Sequence, residues 1–423
     1  MNRLVLYTLM MCLCLAAPIP AGQVEPQGDD FLVFGFDFGA KGTASTMSPN
    51  GSFVVAWDAY FCCMAAKGYD EDLNSSSIWD LIPGFPATRD PIDVTTLADD
   101  DFVVTWETYN KAFEPVIQAR RFALSGTPLG PSIEVVGSAD GTTNLHPAVD
   151  AWPIFSSFLV AWTQDDPADP GADALDIQLA AFGTSKAPEG HFMVNTYVTG
   201  DQDYPELSVG PDSSFVVVWR SAGSPGDDSD GRSVQGTWFS PGGTPGTQFQ
   251  VNSHSTGDQD NVDVAMAPDG SFLVVWDGES AGPDPDLSIQ GRLFGPDQVP
   301  VGPDFQINTY TTAVQSEPAV ASDEDGSFLV VWRSATGVFG QEVGPTGALL
   351  GPEVTLNSTV SNDYSEPTVA GALNGRFVVT WDSDDDYQYG SYDFNRRARQ
   401  FSNSLFADGF ESGDTAAWNV TVP

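Results

Sequence analysis

Residues 269–276 read DGSFLVVW, and residues 325–332 repeat all eight letters 56 positions on. Relaxed copies of the core extend the series to seven: SFVVAW at 52, DFVVTW at 101, SFLVAW at 157, SFVVVW at 214, SFLVVW at 271 and 327, and RFVVTW at 376. Their tryptophans are Trp57, Trp106, Trp162, Trp219, Trp276, Trp332 and Trp381, spaced by 49, 56, 57, 57, 56 and 49 residues. A period of that size marks an architecture in which each unit is one supersecondary element.

Each copy sits in a wider unit. Ahead of it lies a short strand such as EPAVAS (317–322) or EPTVAG (366–371), then a turn. Behind it, past a polar loop, come SVQGTWF (233–239) or SIQGRLF (288–294), then QFQVN (248–252) or DFQIN (304–308). That makes four strands per unit, A to D, and no convincing helix. Strand B is apolar without alternation, so both of its faces must be covered. A propeller blade, packed between two neighbours, meets that demand. Phe272, Val274 and Trp276 then face one neighbour, and Leu273 and Val275 the other.

The prediction is an all-β fold, a seven-bladed β-propeller of four-stranded antiparallel blades over residues 30–402. An open solenoid or a row of small sandwiches is the competing arrangement. The last unit lacks a D strand, and DFLVFGFDF (30–38), ahead of the first A strand at 42–47, is the segment that supplies it. Ring closure of that kind leaves no sheet edge open. Unit 1 shows no clear C/D pair after Trp57, and unit 6 is shortened between B and C.

The 423 residues carry 58 acidic and 16 basic side chains, a formal charge of −42. Such a field repels nucleic acid and anionic membranes and favours a soluble monomer. The first 22 residues have the pattern of a secretory signal peptide: Arg3, an apolar core from Leu4 to Ala17, and small residues before Gly22. A buried first helix is the alternative reading. No later stretch is long enough to span a membrane, so the mature chain is expected to be secreted or at the cell surface. Cys62 and Cys63 are adjacent and form no disulfide framework; two buried thiols or a vicinal bridge are the options.

In an up-and-down blade the B–C and D–A loops emerge on one face. That face is acidic, with TGDQD at 199–203 and 256–260 and GDDSDG at 226–231. Asp201, Asp203, Asp227, Asp228, Asp230, Asp258 and Asp260 are therefore candidate ligands for Ca2+, which takes six to eight oxygen donors. Asp and Gly are also what tight turns use, and no EF-hand spacing is present. His146, His191 and His254 fall at unrelated places in their units, with His254 in a D–A loop. No catalytic motif is legible, although two carboxylates on so acidic a face could fall at a hydrolytic separation.

The unit DG-x-F-V-V-V-W resembles repeats of secreted and surface proteins of Gram-negative bacteria. It is distantly similar to the FG-GAP propellers of integrin type, without their Phe-Gly and Gly-Ala-Pro signatures or full calcium loop. SDEDGSF (322–328) loosely resembles the Asp-box of sialidase propellers, without its closely following aromatic residue. The tail DGFESGDTAAW (408–418) resembles a C-terminal segment of many exported proteobacterial proteins; residues 403–423 are expected to lie outside the ring, as a sorting signal or an acidic tail. The function expected is that of an exported non-catalytic propeller, binding a protein or a glycan through its acidic loop face, with calcium as a candidate cofactor. A secreted polysaccharide-active hydrolase and a structural cell-surface module are the alternatives.

Overall fold

The computed structural model describes residues 25–402 apart from 27–28, 39–41, 60–62, 77–78, 82–88, 111–113, 137–141, 154–156, 166–174, 184–189, 225, 227, 229, 280–286, 312, 359–363, 373–374 and 384–392. The signal-peptide segment, Cys62 and the C-terminal tail lie outside the described residues. Among those described, every regular element is a strand and no helix is long and apolar enough to cross a membrane.

The chain opens with β1 (Glu25–Pro26) and β2 (Phe31–Phe38). Blade 1 is β3 (Thr43–Met47), β4 (Phe53–Ala59), β5 (Cys63–Tyr69) and β6 (Trp79–Asp80). Blade 2 is β7 (Arg89–Thr96), β8 (Phe102–Tyr109), β9 (Pro115–Phe122) and β10 (Ile133–Val136). Blade 3 is β11 (Thr143–Trp152), β12 (Ser157–Asp165), β13 (Leu175–Phe182) and β14 (Phe192–Met193). Blade 4 is β15 (Gln202–Val209), β16 (Phe215–Ala222), β17 (Arg232–Phe239) and β18 (Phe249–Gln250). Blade 5 is β19 (Gln259–Met266), β20 (Phe272–Gly278), β21 (Ser288–Phe294) and β22 (Phe305–Gln306). Blade 6 is β23 (Gln315–Ser322), β24 (Phe328–Ser334), β25 (Gly337–Val343) and β26 (Leu349–Thr355). Blade 7 is β27 (Tyr364–Ala372), β28 (Arg376–Ser383) and β29 (Asp393–Ser402).

Blade 7 takes its outer strand from the other end of the chain. β2 pairs antiparallel with β29, Phe31 opposite Ala398 and Phe38 opposite Asp393, and β1 extends the same edge. The ring is thus closed as expected, a seven-bladed β-propeller. Hydrogen bonds at the rim show that β2 is a true fourth strand. In three blades a side chain just ahead of strand D or within it accepts backbone N–H groups of the preceding blade: Gln248 from Thr196 and Tyr197, Asp304 from Ser253 and His254, and Glu353, inside β26, from Thr309 and Tyr310. Asp30, just ahead of β2, occupies the corresponding place against blade 6, where its carboxylate accepts the Ser358 hydroxyl and its N–H donates to the Ser358 Oγ.

Seven apolar clusters fill the seven seams. Phe272, Val274 and Trp276 pack with Val216 and Val218 of blade 4, while Leu273 and Val275 pack with Phe328, Val330 and Trp332 of blade 6. The last seam, blade 7 to blade 1, joins Val378 and Ala398 to Phe53, Val55 and Trp57. All seven repeated tryptophans are buried. At roughly 25 cal/mol per Å2 of apolar area, these aromatic side chains are the largest single contributors to each seam.

The remaining repeated letters have local reasons. The Phe closing strand C stacks on the Phe opening strand B, as Phe272 on Phe294 with centroids 4.7 Å apart and Phe215 on Phe239 at 4.5 Å. The Asn of FQVN and FQIN stands in for a strand residue: the Oδ1 atoms of Asn252 and Asn308 accept the N–H groups of Val234 at 3.0 Å and Ile289 at 2.8 Å. In blade 1 the C/D pair is β5 and β6, with Trp79 laid against Gly68; a Cβ on Gly68 would sit 2.4 Å from the indole. In blade 6 the B–C loop shrinks to Ala335 and Thr336.

Candidate functional site

The seven inner strands surround a cavity of about 550 Å3, to which every blade contributes. Its character is set by an irregularity in strand A. In blades 3 to 7 the pairing of strand A with strand B slips by one residue, between Leu145 and Ala148, Asp203 and Glu206, Asp260 and Asp263, Ser316 and Ala319, and Ser365 and Thr368. Each slip is a β-bulge, the device by which a strand re-aims a side chain.

Inside each bulge sits one residue in the left-handed region: His146 (φ 51°), Tyr204 (51°), Asn261 (47°), Glu317 (56°) and Glu366 (49°). All five line the cavity. They lie near the Trp end of strand B, so they form a ring at the channel mouth on the face that carries the B–C and D–A loops. Asn tolerates this conformation; for the other four it costs about 1 kcal/mol each. The ring residue varies, being His, Tyr, Asn, Glu and Glu in blades 3 to 7, while the strand around it repeats.

A second variable position supports the first. The residue after the repeated Trp is Thr163, Arg220, Asp277 or Arg333 in blades 3 to 6, and these hold the ring. Thr163 Oγ1 accepts the Tyr204 N–H at 3.2 Å. Asp277 Oδ2 accepts the Glu317 N–H at 2.9 Å and the Asn261 amide at 2.8 Å. Arg333 pairs with the Glu317 carboxylate at 3.0 Å. That carboxylate also accepts the Glu366 N–H at 2.9 Å, and Glu366 in turn accepts the Gly42 N–H. Tyr204 is stacked on His146 with centroids 3.6 Å apart and carries the Arg220 guanidinium 4.3 Å from its ring, yet remains 43% exposed.

Below the ring the channel turns acidic. Asp93, Glu206 and Asp263 occupy the same register, opposite the residue before the Trp, in blades 2, 4 and 5. Burial pushes Asp93 up to about 7 against the pull of two backbone N–H bonds, with Asp150 and Asp263 adding repulsion. Burial likewise lifts Asp263 and Asp150 to about 6 each, and Glu206 well above the ordinary range, helped there by the charges of Asp263 and Asp93. Asp277, at the mouth, is raised by burial to about 6.

The acidic loop residues named from the sequence are placed differently. Asp203 holds Arg220 in a bidentate pair at 2.7 Å, and Asp260 bonds both Arg220 and Arg232 at 3.1 Å. Asp258 accepts the Arg232 N–H at 3.0 Å, Asp201 the Leu175 N–H at 3.3 Å, and buried Asp228 the Asn252 amide at 2.7 Å. Asp230 is exposed, and Asp227 lies outside the described residues. Five of the seven are thus tied to partners of the protein itself. Among the described residues no three His, Cys, Asp or Glu side chains converge on a point where they could hold a metal ion. Of the histidines, His146 is in the ring, His191 lies edge-on to Trp162 at 5.4 Å, and His254 gives its backbone N–H to Asp304.

The sequence reading missed the ring. Its signals were the residue before Val or Pro in strand A (HP, YP, NV, EP, EP) and the residue after each Trp, the two places where the repeat stops repeating.

No protein-family model and no curated protein matches this chain. Among solved structures, a protein of unknown function from Dyadobacter fermentans is similar at TM-score 0.50 and 11% identity, over 74% of this chain and 94% of its own. A polysaccharide lyase is similar at TM-score 0.52 and 9% identity, over 88% of this chain and 92% of that one. A puromycin hydrolase is similar at TM-score 0.52 and 13% identity, over 87% of this chain but 54% of that one. At such identities the likeness is one of fold.

Proposed function

We propose that this protein is an exported, non-catalytic propeller that binds a glycan at the mouth of its central channel. The carrying observation is the ring of five left-handed residues, of four residue types, on a scaffold whose neighbouring positions repeat. Backbone strain of this kind persists where the side chain it aims is used. The cavity is of the size of small-ligand sites. Tyr204, Asn261, Glu317 and Glu366 offer donors and acceptors suited to hydroxyl groups, and the acid below them disfavours anionic ligands. Binding on a glycan array, compared with Tyr204→Ala and Glu317→Ala, tests the reading. Specific binding lost in both variants supports it; binding unchanged in both, or absent from the whole array, contradicts it.

One observation favours a hydrolytic reading as the second choice. Glu206 lines the channel, no hydrogen bond to its carboxylate is found among the described residues, and burial holds it toward the protonated form, as a general acid requires. Turnover of any array glycan that disappears in Glu206→Gln with binding retained would establish it.

A further inference from the structure

Blade 6 differs from the other blades at the turn between strands A and B, on the face opposite the channel mouth. In blade 2 that turn carries Asp99 and Asp101, covered from strand C by Arg121. The guanidinium donates through Nε at 3.0 Å and Nη2 at 2.7 Å to Asp101, and through Nη2 to Asp99. Register identifies the equivalent side chain in blade 6. Arg121 lies opposite Val103, one residue after Phe102, and Glu342 lies opposite Leu329, one residue after Phe328. The turns also match: the Leu97 N–H donates to Asp101 O as the Asp323 N–H donates to Ser327 O, and Asp100 and Gly326 both have positive φ, 61° and 79°. Asp99 therefore corresponds to Asp325, and buried Leu97 to Asp323.

Blade 6 thus keeps Asp99 of the turn as Asp325, has Ser327 in place of Asp101, replaces a buried leucine by an aspartate and replaces the covering arginine by a glutamate. In blades 3, 4 and 5 strand C has Ala181, Trp238 and Leu293 at that position, opposite Leu159, Val216 and Leu273. Glu342 is 6% exposed and Asp323 1%. Glu342 Oε2 is buried with no hydrogen-bond partner, and no ion pair to Asp325 or Glu342 is found among the described residues. Asp323 Oδ1 is already engaged by the N–H groups of Asp325 and Ser327, both at 2.9 Å. A buried carboxylate oxygen without a hydrogen-bond partner is stabilised by a proton or a cation. The charges of Asp323 and Asp325 act on this carboxylate.

We propose that the A–B turn of blade 6 is a divalent-cation site, with Asp323, Asp325 and Glu342 as its carboxylate ligands and an ion of the calcium class as its occupant. An all-oxygen, carboxylate-rich donor set suits a hard cation with flexible coordination, as calcium is. As described, the three side chains do not meet at one point, so the proposed site requires Asp325, exposed at the turn, to move toward Glu342 on binding. The ion takes the place of the Arg121 guanidinium, tying the turn to strand C. The inference does not rest on the ligand of the channel mouth.

Chelator-treated protein is titrated with CaCl2 and with MgCl2 by calorimetry, and melted with and without about 5 mM ion, above the roughly 0.1–1 mM dissociation constants of extracellular calcium modules. Calcium is expected to raise the melting temperature of the wild type by several degrees, with magnesium weaker. Glu342→Gln and Asp325→Asn should each weaken calcium binding about tenfold or more. Glu342→Arg, which copies blade 2, should melt in chelator as high as calcium-loaded wild type and ignore calcium. No heat and no shift in the wild type would overturn the proposal. So would shifts of equal size in wild type and all variants, because calcium would then bind elsewhere. Asp325→Asn, at an exposed position, keeps the test decisive if Glu342→Arg fails to fold.

Discussion

The Asp93 carboxylate of blade 2 accepts the backbone N–H of Val149 in blade 3 at 2.7 Å, across the gap between two inner strands. Asp150 does the same for Val209 at 2.8 Å, and Asp263 for Val320 at 2.7 Å. The inner edge of every blade is a row of N–H and C=O groups with no next strand to pair with. These aspartates satisfy part of that edge and tie neighbouring blades around the channel.

A pH dependence follows with a definite sign. Asp93 is raised to about 7, and Asp150 and Asp263 to about 6, all above the unfolded value near 3.9. Folding therefore favours their protonated forms, so this contribution to stability is complete below about pH 4 and is lost as pH rises through 6 to 7. The melting temperature should fall between pH 5 and pH 8, as measured by calorimetry. Asp93→Asn, whose side-chain oxygen can still accept from Val149, should flatten that fall by roughly 1–3 °C. A melting temperature that rises over the same range would contradict this assignment.

The repeated Trp is the keystone of each seam. Trp276→Ala should destabilise the ring by about 3–5 kcal/mol, the usual loss for a buried aromatic side chain. Chemical denaturation checks it, and Trp276→Phe should recover more than half of the loss.

Asn252 carries a different load. Its side chain accepts from Val234 and donates to Asp228 and Gln259, all inside the fold. Asn252→Ala strands a buried N–H and a buried carboxylate, with an expected cost of about 2–4 kcal/mol. Asn252→Asp should be no better, since it sets a second acid against Asp228.

The left-handed ring can be tested by backbone preference alone. Asn261→Gly should leave stability within about 0.5 kcal/mol, whereas Asn261→Val should lose about 1–2 kcal/mol, because a β-branched residue resists positive φ. Equal stabilities for the two variants would mean that the bulge is absent in solution.

The scaffold was legible because its physics is repetitive. Seven buried seams demand seven apolar strands, and an orphan strand at 30–38 had one edge left to fill. The site was not legible for the complementary reason. His146, Tyr204, Asn261, Glu317 and Glu366 are of four residue types, and their shared left-handed conformation leaves no letter common to all five. The ion pairs of the acidic loop residues were not legible either, because the partners of Asp203 and Asp260, Arg220 and Arg232, come from other strands. Glu342 became meaningful only when register set it beside Arg121.

A crystal structure of the protein soaked with the strongest array glycan tests the central claim most directly. The account predicts electron density for the sugar at the channel mouth, within hydrogen-bonding distance of Tyr204, Asn261, Glu317 or Glu366. Ordered sugar on the outer rim of the blades, with the mouth holding solvent alone, would contradict it.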